Sequence, residues 1–192
     1  FCQNREISRS AVGRAVSPSE LADEILELQG LGVHNVNFVT PTHFVPSLIE
    51  TVSLARARGL SVPTVYNTGS YETRDTVRSL SGSVDVYLPD LKYYLPKTAA
   101  AYSAASDYPT AARQAIEEMV KQTGNAKIEN GIIVRGVVVR ILLLPSHLAE
   151  AKLSLKYLYG TYGDSIYISL MNQYTPIKRL DYEQLNGKEI SF

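Results

Sequence analysis

An α/β fold built on a parallel sheet is what this sequence predicts, and three observations predict it. Short β-branched, apolar runs alternate with amphipathic stretches at helical spacing along most of the chain. Five such runs can be marked, with helical sequence between consecutive ones, the pattern of right-handed crossovers joining parallel strands. Residues 84–88 and 137–144 are apolar at nearly every position, which suits strands covered on both faces.

The elements follow in order. Ser17-Pro18-Ser19-Glu20 has the form of a helix start, with a serine N-cap, proline at the first helical position and a glutamate placed for a capping box. Leu21, Ile25 and Leu28 then share one face, and the helix stops near Gly30. Residues 33–39 read as the first strand, 46–58 as a helix ending at Gly59, and 62–66 as the second strand. A short helix over 73–80 leads to a strand at 84–88. The stretch 95–124 holds two helices split near Tyr108-Pro109, the second lined by Ala112, Ala115, Ile116, Met119 and Val120. The most apolar run, 132–144, holds a strand ending at Pro145; Ser146 is placed to cap a helix that ends near Gly160, and 165–171 is the last strand. After Asn172 the pattern dissolves into a polar tail.

Composition narrows the function classes. At 192 residues the chain is one domain, residues 1–192, with enough sequence to bury a core. The 19 Lys and Arg balance 19 Asp and Glu, which gives no reason to expect nucleic acid or an anionic membrane as partner. One cysteine, Cys2, cannot build a disulfide framework, so a reducing, cytoplasmic setting is expected. No apolar run approaches the roughly 20 residues that span a bilayer, and no signal peptide is expected.

In a parallel α/β sheet, sites collect where strands end. Polar groups follow each strand: Thr40-Pro41-Thr42-His43, Asn67-Thr68-Gly69-Ser70, Asp90-Leu91-Lys92 and Asn172-Gln173-Tyr174, with Arg140 inside the fourth run, an odd place for a charge. Together they offer a carboxylate, two cations and several amides and hydroxyls, a set able to bind a zwitterionic, ribose-bearing ligand. Each also has a plainer reading. Asn67-Thr68-Gly69 can be a turn, Asp90 and Lys92 a solvated pair, Arg140 a snorkelling side chain or the partner of a carboxylate, and His43 a helix cap. No histidine is spaced as a metal ligand, and no nucleophile elbow, P-loop, dinucleotide fingerprint or zinc-protease motif is present, so no catalytic residue is assigned.

Phe1-Cys2-Gln3-Asn4 resembles the end of the C-x-x-x-C-x-aromatic-C motif of radical S-adenosylmethionine (SAM) enzymes, most closely the pyruvate formate-lyase activating enzyme group. The stretches around Thr40-Pro41-Thr42-His43 and Tyr66-Asn67-Thr68, Val86-Tyr87-Leu88-Pro89-Asp90-Leu91-Lys92, Val138-Val139-Arg140, and Ser169-Leu170-Met171-Asn172-Gln173-Tyr174-Thr175-Pro176 are similar to that group's strand ends in order and spacing. The resemblance implies a partial (β/α)6 TIM-like barrel of the radical SAM type whose first strand and remaining cluster cysteines would precede Phe1. It also implies a C-terminus interrupted near Leu185-Asn186-Gly187-Lys188.

By the same resemblance, Cys2 is a ligand of a 4Fe–4S cluster, and Thr40, Thr42, Asn67, Asp90, Lys92 and Arg140 lie where the family binds SAM. Asn67 stands where activases often carry an aspartate. Thr40-Pro41-Thr42-His43 stands where most relatives carry Gly-Gly-Glu-Pro, so Thr42 or backbone carbonyls would take over the contact to the SAM amino group. The implied reaction is reductive cleavage of SAM to a 5′-deoxyadenosyl radical that takes hydrogen from a glycine of a partner glycyl-radical enzyme, with flavodoxin or ferredoxin as electron donor. The protein's share is to position and shield the radical. With one thiolate, the 192 residues by themselves are expected to hold no cluster and to be inactive. A radical SAM enzyme acting on another protein or a small molecule, and a non-catalytic (β/α) binding domain, are the alternatives.

Overall fold

The computed structural model describes residues 13–174. Cys2, Thr175-Pro176 and the tail around Leu185-Asn186-Gly187-Lys188 lie outside the described residues. Helices and strands alternate as α1 (Pro18–Gly30), β1 (Val36–Val39), a 3-10 turn (Thr42–Phe44), α2 (Val45–Ala57), β2 (Thr64–Thr68), α3 (Arg74–Ser79) and β3 (Val86–Pro89). They continue as α4 (Pro96–Ser103), α5 (Tyr108–Thr123), β4 (Lys127–Glu129), β5 (Ile132–Leu142), α6 (Leu148–Tyr162) and β6 (Tyr167–Met171). The capping box at the start of α1 forms as its sequence requires: the Glu20 amide donates to Ser17 Oγ at 3.2 Å, and the Ser17 amide donates to Glu20 Oε2 at 2.8 Å.

The five expected strands are all present and parallel, in the order β1-β2-β3-β5-β6. The sheet is open, and the expected α/β class and partial-barrel form hold. One strand was not expected. β4 pairs antiparallel with the start of β5 through a two-residue turn, Asn130-Gly131, both with positive φ (51° and 80°). That is the geometry of a type I′ hairpin, for which Asn-Gly is the favoured sequence.

Two other boundaries differ from expectation. The last helix does not end near Gly160 but runs through it to Tyr162, because Leu158 is fully buried there and packing outweighs the modest helix penalty of glycine. Ser146 does not cap that helix: it takes a left-handed conformation (φ 63°), and His147 occupies the N-cap position without a side-chain cap bond. Nor does His43 cap α2. It lies within the 3-10 turn, and Phe44 stands at the N-cap.

Register divides the strands into two faces. Phe38, Tyr66, Tyr87 and Val137 are neighbours along one row, and the last three are fully buried. With Val139 and Ile141 they pack against Val77 of α3, Ala112, Ile116 and Met119 of α5, and Leu158 of α6. Burial of each large side chain in this layer contributes about 1.5–3 kcal/mol. Side chains alternate along a strand, so Asn67, beside Tyr66, and Arg140, between Val139 and Ile141, point to the opposite face. Expected burial on both faces is therefore realised only in part: on the second face Leu88, Val138 and Leu142 are half-buried and Tyr167 is exposed.

Candidate functional site at the C-terminal rim

Arg140 is the centre of the rim. Asp90, the residue after β3, is bridged to it across the sheet. Its Nε donates to Asp90 Oδ1 at 2.7 Å, and one terminal nitrogen donates to Asn67 Oδ1 at 2.7 Å while lying 2.6 Å from Asp90 Oδ1. Lys92 Nζ lies 3.8 Å from Asp90 Oδ2, a looser contact. Of the plainer readings, a carboxylate partner for Arg140 is realised, and the pair is well shielded, with side chains 22% and 21% exposed. Three strand ends thus contribute to one cluster with one surplus positive charge.

The geometry also assigns Asn67 a direction. Arginine carries only donors, so the Asn67 carbonyl oxygen must face Arg140 and its NH2 group is turned elsewhere. The acceptor ability that an asparagine keeps relative to an aspartate is here committed within the protein.

The loops carrying these groups are tied by Tyr108, the first residue of α5. Its hydroxyl lies 2.9 Å from the Gly69 carbonyl and 2.8 Å from the Asp90 carbonyl, and it accepts from the Lys92 amide at 3.0 Å. Burial pushes the phenol well above its usual range, so it stays a donor. In the sequence Tyr108 marks only a break between helices.

Thr40 and Thr42 fall on a second cluster. Thr40 is exposed, has φ 51°, and donates its amide to the Asn67 carbonyl at 2.7 Å. A β-branched residue in the left-handed region is strained, and such strain gathers at functional sites. Thr42 Oγ1 donates to Glu72 Oε1 at 3.0 Å. Glu72, only 7% exposed, also accepts from Tyr66 at 3.0 Å and from the Thr68 hydroxyl. The Thr40-Pro41-Thr42-His43 segment itself contains no glutamate. The fold brings one there from the loop after β2, and the only signal was its place two residues beyond the Asn67-Thr68-Gly69-Ser70 group.

Asn172 and Gln173 are exposed beyond β6, and Tyr174 is buried. Among the described residues no group of three or more His, Cys, Asp or Glu side chains could hold a metal ion, and none of these residues is a cysteine. They therefore do not fit a 4Fe–4S cluster. Among them no helix is long and apolar enough to cross a membrane.

No protein-family model matches the chain. An uncharacterized protein of Methanocaldococcus jannaschii is 26% identical over 200 residues, which takes in 98% of this chain and 54% of that protein. Among solved structures, methylornithine synthase, a radical SAM enzyme, has a similar fold, with a TM-score of 0.53 at 15% identity over 85% of this chain and 47% of that one. The chain spans about half the length of each of these proteins. The structural likeness shows the fold: a mostly parallel α/β sheet with the form of a partial radical SAM barrel.

Proposed function

We propose that the chain is the SAM-binding part of a radical SAM enzyme. The observation that carries this reading is the Asn67–Arg140–Asp90–Lys92 cluster, gathered from three strand ends onto the rim of a sheet with the radical SAM form. With one surplus positive charge, the cluster suits a carboxylate, and the groups left to meet one are the second terminal nitrogen of Arg140, which neither Asp90 nor Asn67 uses, and the loosely held Lys92 ammonium. The Asn67 NH2 group is available to donate to a ribose or base acceptor. Bound SAM would supply the sulfonium bond that is cleaved. The described residues bind and orient the molecule and have no thiolate with which to hold a cluster.

The finer reading is activation of a glycyl-radical enzyme, supported by the ordered strand-end motifs shared with the activating-enzyme group. A small-molecule substrate is the second reading, favoured by the likeness to methylornithine synthase. Iron and sulfide reconstitution of the full-length polypeptide under anaerobic conditions, followed by SAM and dithionite, should yield 5′-deoxyadenosine. A reconstituted protein that neither binds nor cleaves SAM overturns the proposal. A glycyl-radical signal in a co-incubated partner distinguishes the activase from the small-molecule enzyme.

Arg140→Gln is expected to weaken SAM binding by about tenfold or more, the equivalent of one charge-assisted contact. It should also cost about 1–3 kcal/mol of stability, since Asp90 loses its close partner in a shielded position. Calorimetric titration and urea unfolding read the two effects separately.

A further inference from the structure

We infer that Tyr102, paired with His147, is a redox site: the resting place of an oxidising equivalent that a path of tyrosine rings leads away from the strand-end rim. Four rings make the path. Tyr71, in the loop after β2 and 52% exposed, lies 5.8 Å from Tyr108 between ring centroids. Tyr108 lies 5.5 Å from Tyr93, and Tyr93 lies 6.3 Å from Tyr102. Each step is an aromatic contact, across which an electron passes far more readily than a proton. The path begins beside the Asn67–Arg140–Asp90 cluster, since the Tyr108 hydroxyl bonds the Gly69 and Asp90 carbonyls. It ends where Tyr102 of α4 meets His147 at the start of α6.

A phenol gives up an electron easily only when its proton can leave with it, so proton acceptors decide where the hole rests. Both ends of the path have one. The Tyr71 hydroxyl donates to Asp107 Oδ1 at 2.7 Å. The Tyr102 hydroxyl lies 3.3 Å from His147 Nε2. His147 Nδ1 is 2.7 Å from the Pro145 carbonyl oxygen, which can only accept, so Nδ1 carries the ring proton and the neutral imidazole turns its Nε2 lone pair to Tyr102. Between the ends, the Tyr108 hydroxyl serves backbone groups and the Tyr93 hydroxyl pairs with Ser103 Oγ at 2.8 Å, groups that take up a proton poorly. Imidazole is a stronger base than a carboxylate, so the hole leaves Tyr71 and settles on Tyr102.

The neighbouring tyrosines supply the contrast. The Arg113 guanidinium lies over the rings of Tyr94 and Tyr157, 4.3 and 4.9 Å from their centroids. A positive charge in that position opposes loss of an electron. Tyr93 and Tyr94 are adjacent in sequence, yet Tyr94 faces the cation while Tyr93 faces Tyr108 and Tyr102. An organic radical or other one-electron oxidant at the rim thus gains one electron. Tyr102 supplies it through the three intervening rings and passes its phenolic proton to His147 Nε2, leaving a neutral phenoxyl and an imidazolium. A thiol in solution then returns an electron and His147 returns the proton; two thiols so used join as a disulfide and release their own protons.

The test uses the full-length protein without SAM, so its outcome does not depend on whether SAM binds. Photogenerated ruthenium(III) tris-bipyridine serves as the oxidant, a nitroso spin trap captures the phenoxyl, and peptide mass mapping locates the adduct. In the wild-type protein the adduct should concentrate on Tyr102. His147→Leu, which removes the proton acceptor, should move most of it to Tyr71. Tyr93→Phe keeps the ring packing but interrupts the path, so it should do the same, and it decides the matter if His147→Leu does not fold. Adducts that follow exposure, led by Tyr159 at 68% exposed, overturn the inference. So does a wild-type protein with no adduct on Tyr102, or a Tyr102 adduct that either substitution leaves in place.

Discussion

Gly136→Ala is expected to be the most destabilising single methyl that can be added to the described glycines. Gly136 sits in β5 where the strand leaves β4 and begins to pair with β6, at φ 131°. A Cβ there would lie 2.7 Å from both Cα and Cβ of Ala126, backbone and near-backbone atoms that cannot swing aside. Ala126 is itself held, its amide donating to the Ser165 carbonyl at 3.1 Å. Backbone strain and overpacking each cost about 1–3 kcal/mol, so a loss of about 3–5 kcal/mol is expected, a large part of a domain's total stability. Gly160→Ala is the matched control. It lies inside α6 with nothing within 4 Å of the added carbon and no positive φ, so the same change should stabilise by about 0.5–1 kcal/mol. Urea unfolding of the two variants should shift in opposite directions. Equal shifts would mean that β5 does not approach Ala126 as closely as described.

This contrast shows which parts of the molecule were legible in its sequence. Periodicity reports elements long enough to repeat, so every parallel strand and every long helix could be read from apolar spacing, and α1 from its capping box. β4 could not, because its three residues are all exposed and carry no alternation. Only the Asn130-Gly131 pair announced it. Gly160 has the form of a helix stop in the sequence, but Leu158 packing carries α6 onward.

The site divides the same way. Arg140 was conspicuous as a charge in an apolar run, and Asp90 and Lys92 as a polar group after a strand. Their pairing followed from strand order. Asn67 was found, but the sense of its hydrogen bond was not, since that depends on which side chain reaches it from 73 residues away. Glu72 and Tyr108 were missed for one reason. Each acts through loop closure, bringing an ordinary-looking residue onto backbone or hydroxyl groups from other elements, and nothing in local spacing encodes that.

Tyr108→Phe tests the more consequential of those closures. The substitution keeps the ring, with its edge contact to Tyr93 at 5.5 Å and its tilted contact to Tyr71 at 5.8 Å, and removes one oxygen. That oxygen serves the Gly69 carbonyl, the Asp90 carbonyl and the Lys92 amide, so one deletion strips a partner from the loops after both β2 and β3. Leaving buried backbone groups unpaired costs about 1–3 kcal/mol for each group that water cannot reach, and a total near 2–4 kcal/mol is expected. The functional effect should exceed what lost stability explains. Asp90 and Lys92 flank Leu91, whose amide donates to the Arg140 carbonyl at 2.9 Å, so movement of this loop carries the charged cluster with it. At a temperature where the variant remains fully folded, SAM affinity should still fall by about fivefold or more, because a misplaced charge loses the geometry that a charge-assisted contact needs. A variant that unfolds within about 0.5 kcal/mol of wild type would mean that the rim is held by other bonds. A variant that is destabilised yet binds SAM unchanged would separate Tyr108 from the site and leave it a purely structural tie.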